Sequence, residues 1–122
     1  MNIAALISGI VAAFLLGFVI YGPFLGLQRR WAEGTRISTE PPEKMPAGSM
    51  LAQIISLTLL ALVIAMTETT GALTVAVIAI LAVAAQTASV GAWAQKSGFA
   101  IGVDVAYALL SGVVMIIAHM LL

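Results

Sequence analysis

Residues 50–66, MLAQIISLTLLALVIAM, decide the fold. Along Leu57-Thr58-Leu59-Leu60-Ala61-Leu62-Val63-Ile64 apolar and polar residues do not alternate, whereas a membrane β-strand alternates over about 10 positions. In lipid, a spanning backbone is satisfied only as a helix or in a closed barrel, and this pattern selects the helix. Charges bound the segment, Lys44 before it and Glu68 after it, and the same punctuation divides the rest of the chain. No charge precedes Arg29, and Ile3 to Leu27 is one apolar run. A third run lies between Glu68 and Lys96. The last begins near Phe99 and reaches Leu122, interrupted by Asp104 and His119.

The composition points the same way. Of 122 residues, 62% are hydrophobic and 8% charged, with a mean hydropathy of +1.16, against about half apolar and a quarter charged in a soluble domain. A water-facing surface is out of reach, which excludes a soluble enzyme. At about 20 apolar residues per span, four spans use roughly 80 residues and leave no room for a separate extramembrane domain. The expected fold is therefore all-α: a polytopic integral membrane protein with a single domain over 1–122 and four transmembrane helices, at about 3–27, 50–66, 72–94 and 99–121. Thr67 to Gly71 and Gln95 to Gly98 read as tight turns, which make neighbouring helices antiparallel in an up-down-up-down bundle. The connection over 28–49 is longer and polar, and Pro41-Pro42 and Pro46 should keep its middle extended. The first run lacks a basic leading segment and is too long for a secretory signal, so it reads as a retained membrane helix.

Orientation follows from the basic residues. Arg29, Arg30, Arg36 and Lys44 fall in the first loop and Lys96 in the third, all on one side of the bundle. Basic residues in short loops stay cytoplasmic. The expected location is the bacterial inner membrane, with loop 28–49 in the cytoplasm and both termini on the other side. Trp31 and Trp93 suit an interfacial aromatic belt, and Arg29 and Arg30 suit anionic headgroups, so membrane lipids are expected partners. A formal net charge of +0 leaves no electrostatic footprint for a nucleic acid.

Small residues recur every fourth position on the first helix: Ala5, Gly9, Ala13 and Gly17. Ala84, Ala88 and Ala92 form a similar face on the third, and Ala108 with Gly112 a shorter one on the fourth. Such faces let helices approach closely in lipid, either inside the bundle or against another subunit. Asp104 is the sole carboxylate inside a predicted span. Acids there are costly and point to a proton or ion role. One turn into its helix, however, Asp104 also suits structural anchoring near a positive helix end or a partner contact, with Tyr107 on the same face. Gln86, beside Thr87 and Ser89, is the deepest strongly polar side chain and is expected to bond between helices. One histidine, His119, and no cysteine leave no metal site or thiol nucleophile. Glu33, Glu40 and Glu43 alternate with basic residues as a solvated face does. Catalytic constellations lack members throughout, so no enzyme activity and no cofactor are expected.

The run Tyr21-Gly22-Pro23-Phe24-Leu25-Gly26 resembles the tyrosine-glycine-proline-apolar-apolar-glycine signature of the domain-of-unknown-function 1761 family. Met45-Pro46-Ala47-Gly48-Ser49-Met50 resembles that family's approach to its second helix, and Asp104-Val105-Ala106-Tyr107 the acid-x-small-tyrosine pattern opening its last. Trp31 comes about two residues later than the family's tryptophan. The resemblance implies a small bacterial four-helix membrane protein and no particular activity. Read physically, Pro23 removes a helical hydrogen bond and Gly22 frees the backbone. The first helix should kink or end there, with Tyr21 near the headgroups; the kink reads as a structural hinge or membrane exit, or as a binding feature formed with Asp104 on the cytoplasmic side. The expected role is an accessory or structural subunit packing against a larger membrane complex or against itself. The alternative is a small proton-coupled transporter or channel-like protein using Asp104.

Overall fold

In the computed structural model, residues 1–37 and 47–122 are described, apart from the side chains of 48 and 49. The described residues form five helices: α1 (Ile3–Tyr21), α2 (Gln28–Thr35), α3 (Ala47–Thr69), α4 (Leu73–Trp93) and α5 (Gly98–Leu121). Four stretches, Ile3–Tyr21, Met50–Thr69, Leu73–Trp93 and Gly98–Leu121, are long and apolar enough to cross a membrane. The fold is a polytopic helical membrane bundle. The extended middle expected of the connecting loop, with Pro41, Pro42, Pro46, Glu40, Glu43 and Lys44, lies outside the described residues.

Two differences from the sequence reading reshape one end of the bundle. The first helix ends at Tyr21 and does not run on to Leu27. Pro23 has no N–H to continue the ladder, so Gly22 N–H closes the last bond, to Phe18 O at 2.9 Å. The chain then reverses through Gly26, whose φ of +71° is a left-handed conformation that glycine adopts without strain. Second, residues 28–35, expected as loop, form the short helix α2. It is too polar to span, and it buries Ala32 while Arg29 and Glu33 stay exposed. Its register is set by docking, since a helix of this length is unstable alone.

Helix α5 is the hub, touching all four other helices, whereas α1 and α4 make no contact with each other. Its start is capped by Ser97, whose Oγ accepts from Ala100 N–H at 3.1 Å; Asn2 caps α1 through Ala5 N–H at 3.0 Å. Ala13, Leu57, Ala61, Ile64, Ala76, Ile80 and Met115 form the core. Small residues set the helix spacing. A Cβ placed on Gly9 would lie 3.2 Å from Met115 Cα, and one on Gly112 would run into the Ile80 side chain. The α1 ladder thus faces inward: Ala5, Gly9 and Ala13 are buried, and Gly17 is half-buried beneath the Tyr107 ring. Ala84, Ala108 and Gly112 are buried, Ala88 is half-buried and Ala92 is exposed. Gly91, which the four-residue spacing passes over, is the buried small residue at that end of α4, against Ile101.

Candidate functional site

Asp104 sits two turns into α5 and gathers side chains from three other parts of the chain. Its Oδ1 accepts from Tyr21 OH at 2.6 Å and from Trp31 Nε1–H at 2.9 Å. Its Oδ2 faces Lys96 Nζ at 2.7 Å. Each donor is delivered by a distinct local feature. Tyr21 is the last residue of α1, held there because Pro23 stops the helix. Trp31 lies on the inner face of α2. Lys96 follows Gln95, whose φ of +59° turns the chain before the Ser97 cap. The ion pair is 13% exposed on the Asp104 side chain and 24% on Lys96, so it is mostly shielded, and charge-assisted bonds there are stronger than neutral ones.

A second polar layer lies one turn deeper. Gln53 Nε2 donates to Tyr107 OH at 2.6 Å, and Tyr107 OH donates to Ala13 O at 3.0 Å. That bond draws a side chain onto the backbone of α1, and glycine at position 17 leaves room for it: a Cβ there would sit 3.2 Å from the Tyr107 hydroxyl. Tyr21 joins the two layers. Its ring meets Trp31 edge-on at 4.8 Å and Tyr107 at 5.4 Å, spacings at which aromatic quadrupoles attract.

Residues 4–120 match the protein family described as Protein of unknown function (DUF1761). The chain belongs to this family. None of the curated proteins and none of the solved structures compared with it matches. The resemblance to DUF1761 rests partly on Tyr21 and on the Asp104–Tyr107 segment, and these are the residues that converge on one cluster. In this DUF1761 chain the motif serves two purposes at once: Pro23 ends α1, and the end it creates presents Tyr21 to Asp104.

Other polar residues fall elsewhere. Trp31, expected at the headgroups, turns inward to Asp104, because the α2 helix that sequence reading placed in a loop carries it there. Arg30 lies with its guanidinium 4.1 Å from the Phe99 ring centroid, and Arg29 pairs with Glu33 at 3.1 Å on the exposed side of α2. Trp93 is 88% exposed at the end of α4. Gln86, expected to bond between helices, lies on the outer, exposed face of α4. His119 stands near the opposite end, its Nδ1 3.1 Å from Met115 O. Among the described residues no three or more His, Cys, Asp or Glu are grouped to hold a metal ion.

The arrangement binds and positions. Asp104 has donors on both oxygens, and Lys96 neutralises it. Sequence reading missed the parts played by Lys96 and Gln53. Lys96 entered only by its sign, as one of the basic residues on one side, although the one cation beside the last helix and the one acid within it were both visible.

Proposed function

We propose that this DUF1761 protein is a non-catalytic structural or accessory subunit of the bacterial inner membrane, associating with a larger membrane complex or with itself. One observation carries the reading: Gln86 is exposed on α4, about 4.5 Å along the helix from its midpoint. At that depth no water reaches the amide, and an unsatisfied polar group costs several kcal/mol in hydrocarbon. Ala82, Ala85 and Ser89 share that exposed face, small enough for a second helix to approach and take the hydrogen bond. In this reading the Asp104 cluster is a latch that fixes the bundle. Both termini lie outside the cytoplasm, and the basic residues lie inside.

The chain has no cysteine, so Gln86→Cys gives a single thiol. In membranes this variant should cross-link to a second copy or to a co-purifying membrane protein, and Leu15→Cys, on the exposed face of α1, should not. A chain that runs alone as a monomer in mild detergent, with Gln86→Cys uncross-linked, would overturn the proposal. A reporter fused after Leu122 should be active only outside the cytoplasm; activity inside would reverse the orientation.

The transporter alternative draws on Asp104 lining a cavity between α3, α4 and α5. It requires Asp104 to exchange its partners during transport, and Asp104→Asn should then abolish proton-coupled flux in proteoliposomes. Unchanged flux removes Asp104 from any such mechanism.

A further inference from the structure

Where α1 ends and α5 begins, a groove of about 480 Å³ opens on the outside of the bundle. Leu25 and Leu27 line it from the turn before α2, and Gly98, Gly102, Ala106 and Leu110 line it along α5. None of these residues carries a polar side chain. A Cβ added to Gly98 or Gly102 would meet nothing within 4 Å, so these glycines open the groove outward, whereas Gly9 and Gly112 admit a neighbouring helix. From Gly98 to Leu110 the helix rises about 18 Å, close to the ~15 Å depth of hydrocarbon in one leaflet. A charge stands at the shallow end. Arg30, exposed on α2, holds its guanidinium 4.1 Å from the ring centroid of Phe99, and Phe99 belongs to the groove lining. The other described lysines and arginines are engaged: Arg29 with Glu33, Arg36 with Gln95 O and Lys96 with Asp104. Arg30 has no hydrogen-bond or ion-pair partner among the described residues. The Phe99 ring fixes where its charge lies without neutralising it.

We propose that this groove holds one acyl chain of an anionic phospholipid whose phosphate is bound by Arg30. Tail and head are selected separately. The groove matches an acyl chain in depth and polarity, and a polar occupant would find no partner along its walls. At its mouth the guanidinium presents N–H donors in a fork that fits phosphate oxygens. An uncompensated cation there favours a headgroup of net negative charge over a zwitterionic one. Inorganic phosphate would meet the same donors but leave the apolar groove empty, so the occupant is the lipid. Arg29 is already paired on the exposed side of α2 and adds little. That contrast separates a defined site from a general attraction of the basic end to anionic lipid. The groove is built from α1, the turn after it and α5, so it does not depend on the α4 face or on the association proposed above.

The test uses the full-length protein in a nonionic detergent and phosphatidylglycerol carrying a photoactivatable group in its acyl chain. Label should map to the groove, on α5 between Gly98 and Leu110 and on the turn at Leu25 and Leu27. Unlabelled phosphatidylglycerol should compete about fivefold better than phosphatidylcholine, as one basic side chain at the membrane surface allows. Inorganic phosphate should not compete. Arg30→Gln should bring phosphatidylglycerol down to the level of phosphatidylcholine while labelling through the tail persists, a result that a misfolded variant would not give. Arg29→Gln should keep most of the preference. Gly102→Phe places its Cβ in open space, so the bundle folds, and its ring should fill the groove and abolish labelling. Equal competition by the two lipids in the native protein would overturn the proposal, as would label spread around the bundle. Equal loss of preference in Arg29→Gln and Arg30→Gln would reduce it to diffuse surface charge, and competition by inorganic phosphate would make the site one for a free anion; either outcome overturns it.

Discussion

Asp104 is held by a phenol, an indole and an ammonium, and the energetics of that cluster depend on removing partners together or singly. Lys96→Met leaves a shielded carboxylate without its counter-charge, and Asp104→Leu leaves Lys96, Tyr21 and Trp31 without their acceptor. Each should cost about 2–4 kcal/mol in reversible detergent unfolding, toward the lower end because the pair is partly exposed. The double variant should cost less than the two singles added, since two apolar side chains replace the pair without stranding a charge. Strict additivity in that cycle would mean that the ion pair contributes no coupling. Asp104 stood out in the sequence because an acid within an apolar run is rare and expensive. The kink that carries Tyr21 stood out beside it, but the hydrogen bonds did not, because Tyr21 and Trp31 are 83 and 73 positions away and only the folded chain shortens those separations.

At the scale of elements, α2 is the unexpected one. Its sequence, QRRWAEGT, has too few apolar residues to announce a face, and no side chain caps its start. Tertiary contacts stabilise it instead. Ser97 N–H donates to Gly34 O at 3.0 Å, and Gly34 lies so close to Ser97 that a Cβ would overlap its side chain. Gly34→Val should therefore undock α2 and release Trp31 from Asp104 while the four spans persist. Faster amide hydrogen exchange over residues 28–35, with α4 protection unchanged, is the expected result, and unchanged exchange over 28–35 would show that Gly34 does not set the docking. The spans themselves were legible from hydropathy alone, but their ends were less so. Helix α3 runs through Glu68 to Thr69, past the charge that bounds its apolar run and into the expected turn, because a charged residue at a membrane surface does not stop a helix as proline does. In α1 the apolar run continues to Leu27, but Pro23 overrides hydropathy because a missing N–H stops a helix however apolar the next residues are.

The whole molecule is a bundle whose inner and outer faces are distinguished by residue size and polarity. Gly9 lies against Met115 Cα, a backbone atom that cannot swing away, so Gly9→Val should cost about 1–3 kcal/mol of monomer stability through overpacking. Gln86→Leu, on the outer face, should leave the monomer within about 0.5 kcal/mol yet lower the oligomer fraction. The opposite pattern in unfolding and sedimentation measurements would invert the assignment of faces. By itself the sequence determined the membrane solvent, the four spans and the family. Length, hydropathy and a short proline motif are properties of consecutive residues, and lipid forces the backbone into helices whatever surrounds them. Only the tertiary structure decided that the α1 ladder is used inside the bundle, that Gln86 faces out and that Trp31 turns in. Those outcomes depend on how each helix is rotated about its axis. In a chain apolar on nearly every face, hydropathy carries almost no information about that rotation, and packing of small against large side chains sets it.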